Sequence, residues 1–229
     1  MPEPKPPPAP MTRLDVFVDA AFAFAITMLV ISIDSVPESY DELITALKGT
    51  PAFLASFAGI MSFWIGQKSW AKRYGDEDDP VCVLLSLTLV FLVMVFVYPL
   101  KVVTSAMFAW MTNDWLPDNF ELEDPFQLLG IFQLYGIGFF ALAGTLAALY
   151  WRSSRRADAL GLSAYQKAHA RMEAGIWLAM ALTGMASALW AALLPPQWAI
   201  WAGFVYLSLF ISTFAVGHWL DPASQETAP

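Results

Sequence analysis

The sequence predicts an all-α, polytopic membrane protein with six transmembrane helices and both termini cytoplasmic. Three observations predict it. Hydrophobic residues make up 58% of the chain and charged residues only 14%, where an ordinary soluble domain carries roughly 25% charged residues. The apolar residues are grouped in blocks of about 20, the helix length that crosses a hydrocarbon core of about 30 Å. Ten of the twelve Lys and Arg residues fall before the first block or in the second-to-third and fourth-to-fifth regions, and by the positive-inside rule those regions face the cytoplasm.

Several classes are excluded by the same reading. The net charge of −8 comes from loop acids, and no basic cluster on a soluble face suggests nucleic-acid binding. One cysteine, Cys82, forms no intrachain disulfide. With only His169 and His218 besides it, no metal site or cofactor is expected. No Ser/His/Asp or Cys/His constellation can be assembled for an enzyme, so no catalytic residue is assigned.

Residues 1–12 begin with a proline-rich lead, Met-Pro-Glu-Pro-Lys-Pro-Pro-Pro-Ala-Pro, expected to be disordered or polyproline-like. It lacks a small-residue cleavage site and is not read as a signal peptide. The membrane-spanning helical region is expected to cover 13–220 and a polar tail follows at 221–229. The first span is expected from Val16 to Ile33. Asp34 to Thr50 reads as an acidic loop with a short helical piece around Asp41–Lys48. The second span covers Pro51 to Trp70, with Pro51 suited to a first helical position. A loop through Lys72–Pro80 leads to the third span, Val81 to about Trp110, in which Pro99 is expected to produce a kink. The loop from Met111 to Pro125 holds five acids and no Lys or Arg. The fourth span is Phe126–Trp151, with Gly130, Gly136, Gly138 and Gly144 as close-packing points and Arg152, Arg155 and Arg156 closing it. The fifth is about Glu173–Leu194, and the sixth about Trp198–Leu220. Trp70, Trp110, Trp151, Trp198 and Trp219 lie near span ends, as an aromatic belt requires.

The first span carries the most information. Arg13, Asp15 and Asp19 stand at its start, and Asp19 lies inside the apolar run, where an acid is costly and faces other helices or water. Phe24, Met28 and Ile31 fall at i, i+4 and i+7 with Thr27 beside them, so one large apolar stripe follows a single side. Periodicity alone favours lipid or a neighbouring helix as what that stripe meets. Ala20, Ala21, Ala23 and Ala25 supply small surfaces for close helix approach.

The string Arg13-x-x-x-Phe17-Val18-Asp19, opening an apolar helix, resembles the Arg-x-x-x-Phe-Ser-Asp signature of the transmembrane protein 175 family of potassium-permeable cation channels. Ser56-Phe57 followed by Trp64 resembles the family's second-helix pattern, and Tyr98-Pro99-Leu100 the end of its third helix. The matching motifs cover the first three helices; Val18 stands for the signature serine and Gln67 for the second-helix histidine. The resemblance implies a homotetramer whose first helices surround a pore. Phe24, Met28 and Ile31 would form its narrow apolar rings, with Thr27 hydroxyls between them. Such rings gate by dewetting. It also implies that Arg13, Phe17 and Asp19 brace the helix ends, with Trp64 and Gln67 as hydrogen-bond partners. Partners would be potassium and other monovalent cations and the lipid bilayer, in a bacterial cytoplasmic membrane. Two alternatives stay open. A proton-coupled secondary transporter would use Asp19 as a relay. A non-conducting scaffold would fit the departures at Val18 and Gln67 and the bulk of Phe24.

Overall fold

The computed structural model describes residues 12–31, 37–76, 78–118, 124–195, 198–207 and 209. Seven α-helices order them: α1 Arg13–Ile31, α2 Tyr40–Lys48, α3 Thr50–Tyr74, α4 Pro80–Thr112, α5 Pro125–Arg155, α6 Ala164–Leu193 and α7 Ala199–Phe204. A 3-10 turn, Val205–Leu207, continues α7. Four helical runs, one of them α2 joined to α3, are long and apolar enough to cross a membrane. The 19 residues of α1 reach about 28 Å. The expected sixth span is represented by α7 and its 3-10 turn; the remainder, with the proline-rich lead, the tail and Trp219, lies outside the described residues.

The helices outrun the expected spans because their ends are polar but well capped. α1 begins three residues before Val16. Thr12 and Asp15 cap each other reciprocally, Asp15 N–H donating to Thr12 Oγ1 (3.1 Å) and Thr12 N–H to Asp15 Oδ2 (3.2 Å). α6 begins nine residues before Glu173, where Ser163 and Gln166 form a complete capping box. Hydropathy sees the membrane-crossing part of a helix; capping decides where the helix starts. α3 likewise continues through Lys72 and Arg73 to Tyr74, and α5 through Arg152 to Arg155. Pro99 lies inside α4, which runs on from it to Thr112.

The core forms where α3, α4, α5 and α6 converge. Phe63 of α3 sits at their junction, its ring centroid 6.3 Å from Phe96, 5.5 Å from Phe139 and 5.8 Å from Trp177. The edge-on geometry at Phe96 and Phe139 suits the quadrupoles of the rings. α5 and α6 make the most extensive helix pair. A Cβ on Gly136 would stand 2.6 Å from Gly184 O and 2.9 Å from Ala188 N, so the two backbones meet directly, as small residues allow in a membrane. Gly138 packs under the Phe96 ring. Gly130 and Gly144 do not act as close-packing points, since an added Cβ would meet nothing within 4 Å at the first and only Ala181 at 4.0 Å at the second.

Buried polar groups on α3 are tied to its neighbours. Ser56 and Thr104 share a hydroxyl pair at 2.6 Å, Trp70 Nε1 donates to Ser153 Oγ (2.9 Å), and Tyr150 OH donates to Gly66 O (2.9 Å). Trp70 is therefore a core residue, 2% exposed, and not part of an aromatic belt. Its ring is consumed by packing against α5, a long-range contact that a position near a span end does not reveal. Trp110, Trp151 and Trp198 are exposed.

Candidate functional site

α1 has two unlike sides. Val18, Phe22, Ala25 and Leu29, at i, i+4, i+7 and i+11, are essentially fully buried against the core. Opposite them, Phe17 and Phe24 are about half exposed, and Arg13, Ala20, Ala23 and Thr27 are exposed too. Of the stripe Phe24–Thr27–Met28–Ile31, the protomer leaves Phe24 and Thr27 uncovered and packs Met28 partly against the core. The side chain of Ile31 is not among those described. Thr27 Oγ1 donates to Ala23 O at 3.0 Å, which satisfies its proton within the helix and leaves an oxygen lone pair directed outward. The small residues split the same way: Ala25 is buried and Ala21 packs on the core, while Ala20 and Ala23 stay uncovered.

At the start of α1 the structure brings Asp19 to Trp64, whose Nε1 donates to Asp19 Oδ1 at 2.7 Å. Lys68, one turn along α3, holds its Nζ 4.2 Å from the centre of the Trp64 ring, a cation–π contact. The indole thus donates a hydrogen bond to a partly buried carboxylate on one edge and carries a cation on its face. Gln67 is 2% exposed, and its Nε2 has no hydrogen-bond partner among the described residues. Arg13 is exposed, with no ion pair among the described residues. Val18, completely buried, packs where the resemblance places a serine.

Sequence reasoning missed a second cluster, at the Lys/Arg-rich end of the bundle. Asp79 caps α4, accepting from Val81 N–H. It also takes two bonds from Arg152, Nε at 2.8 Å and a terminal guanidinium N–H at 3.2 Å, and one ion pair from Arg156 at 2.9 Å. Cys82 Sγ donates to the same carboxylate (3.3 Å), and Asp76 meets Arg156 at 2.6 Å. The Arg152 bonds hold the Asp79 carboxyl well below the usual carboxylate range, outweighing the opposing effect of its burial. The arginines that close α5 are thus turned onto the α3–α4 loop instead of serving only as a headgroup anchor. A weak signal was present: four acids in a short loop between helices with basic ends. Beside this cluster, His169 of α6 lies against Tyr74 OH (3.0 Å) and under Arg73 (3.0 Å).

Taken together, α1, the convergent four-helix core and the capped, charged end define a polytopic membrane bundle that keeps one side of its first helix uncovered. Residues 13–99 match the family model described as "Endosomal/lysosomal potassium channel TMEM175". A relative from Marivirga tractuosa described as "Potassium channel" is 30% identical over 162 residues, 68% of this chain and 64% of that protein. The matched region is just under two thirds of that relative's length. The crystal structure of a threonine-to-alanine variant of the potassium channel MtTMEM175, in complex with a Nanobody-MBP fusion protein, superimposes with a TM-score of 0.81 at 26% identity. The match covers 95% of this chain and 97% of that one. The chain is thus similar to the TMEM175 family over residues 13–99 and to a potassium channel of that name in fold along nearly its whole length.

Proposed function

We propose that this protein is a potassium-permeable cation channel of a bacterial cytoplasmic membrane, assembled from four copies with both termini inside. The observation that carries the reading is the division of α1. Its Val18–Phe22–Ala25–Leu29 side is spent on the protomer's own core, while Phe24 and Thr27 remain free to face a central path. The potassium channels named among its relatives support the permeant ion.

In the assembled channel Phe24, Met28 and Ile31 narrow the path with apolar side chains. A ring of four such groups conducts only while it is wide enough to stay wet, so gating is dewetting. Thr27 offers oxygen ligands between the rings. Asp19, held by Trp64, braces α1 on α3, with Arg13 and Phe17 near it in sequence and Gln67 near Trp64. Its short bond to the indole gives the carboxylate a fixed donor.

The test is potassium flux from loaded liposomes carrying the purified protein, with a Phe24→Ala variant beside it. Flux in the wild type that increases in the variant supports a path past Phe24. A silent wild type with a leaky variant places the closed gate at Phe24. Silence in both, with folding intact, overturns the channel reading in favour of a scaffold.

A further inference from the structure

α2 buries none of its nine residues in the protomer. An isolated helix is marginal in water even at about 12–15 residues, so a nine-residue helix with no tertiary burial needs support from outside the protomer. Its local signals are good. Ser39 Oγ accepts from Glu42 N–H (3.2 Å), Glu42 Oε2 accepts from Glu38 N–H (2.8 Å), and acids in the first turn and Lys48 in the last suit the helix dipole. Those signals fix the ends but cover nothing.

What is left uncovered is ordered. Tyr40, Leu43, Ile44 and Leu47, at i, i+3, i+4 and i+7, line one side and are 75%, 45%, 36% and 56% exposed. Asp41, Glu42, Thr45 and Lys48 occupy the other. Position narrows the occupant. Gly49 alone separates α2 from the membrane-crossing α3, so α2 lies where α3 leaves the hydrocarbon. Lys48 Nζ stands 5.0 Å over the ring of Trp115, just beyond the end of α4. Trp110, Met111 and Trp115 there are 60%, 63% and 64% exposed. Exposed indoles beside a lysine are the composition that the headgroup layer favours.

We infer that α2 is an interfacial helix: its Tyr40–Leu43–Ile44–Leu47 stripe is sunk into the headgroup–acyl boundary of the bilayer, and its acidic side faces water. An amphipathic helix in this position buries its apolar side about 5–10 Å into that boundary. The inference rests on the chain crossing a membrane and is independent of whether it conducts. It gives the first outer connection a fixed depth instead of a free excursion.

The experiment is site-directed spin labelling of the full chain in liposomes. Single cysteines replace Leu43, Leu47 and Asp41, each in the native background, where Cys82 is buried, and in a Cys82→Ser background. Saturation by oxygen and by a water-soluble nickel chelate reads depth. Labels at Leu43 and Leu47 are expected to favour oxygen and the label at Asp41 to favour nickel, in both backgrounds. Equal nickel access at all three positions would overturn the inference. So would spin–spin broadening at Leu47 without oxygen access, which would mean that a second copy of the chain covers the stripe.

Discussion

The α5–α6 seam and α1 use small residues in opposite ways. In the seam, Gly136 and Gly184 let two backbones touch. In α1, Ala25 is buried while Ala20 and Ala23 point away from the protomer. In water an uncovered apolar side would itself be informative; in lipid it is not, because lipid tails satisfy it as well as protein does. What distinguishes α1 is that small and hydroxyl-bearing residues are uncovered beside a large aromatic, on a helix whose other side is buried. One region gives the protomer its stability, and the other leaves a surface for assembly.

That contrast can be broken by substitution. The largest effect is expected at Gly136→Ala, whose new methyl would collide with backbone atoms that cannot rotate aside. Overpacking of this kind costs about 3 kcal/mol, read as a lower unfolding midpoint in detergent, while Gly144→Ala, with open space before Ala181, should be nearly neutral. Next is Asp79→Ala, at the N-cap of α4. Losing the cap and the hydrogen bonds to the arginines should cost about 2 kcal/mol.

Asp79 also sets a pH dependence. Its folded-state pKa is depressed, so its contribution is complete above the unfolded value of about 4 and is lost as pH falls through the folded value. Unfolding midpoints should drop on acidification below about pH 4 in the wild type, and less steeply in Asp79→Ala.

Smaller effects separate the two sides of α1. Phe22→Ala should cost about 2 kcal/mol, below the aqueous range for a buried phenylalanine because removal from lipid contributes little. Phe24→Ala should change protomer stability by no more than about 0.5 kcal/mol, as at other sites without buried contacts. Equal losses at Phe22 and Phe24, measured by denaturation in the same detergent, would remove the distinction. Trp64→Phe keeps the ring beneath Lys68 but deletes the donor to Asp19, and should cost about 1 kcal/mol.

Much of this architecture was legible from residues. The apolar blocks placed five long helices within a few residues wherever the ends were apolar. They fell nine residues short at the start of α6, where Ser163 and Gln166 cap a helix in polar sequence, and three short at α1, capped by Thr12 and Asp15. Trp64 was named beside Asp19 through the resemblance, and the structure joins them. It leaves the Nε2 of Gln67, named with it, without a partner among the described residues. The Asp79 cluster was only faintly signalled, because pairing a loop acid with arginines more than seventy positions away depends on how α3, α4 and α5 converge. Trp70 was misread for a similar reason: its position near a span end outweighed any hint of Ser153 across the bundle.

The central claim, that the uncovered side of α1 faces the ion path, is tested most directly by a cysteine at Thr27. Potassium flux through liposomes carrying Thr27→Cys in a Cys82→Ser background should fall on adding a charged thiol reagent. A cysteine at Leu178, half exposed on α6, should leave flux unchanged under the same treatment. Undiminished flux through Thr27→Cys after confirmed modification would contradict the account and turn that side of α1 toward lipid.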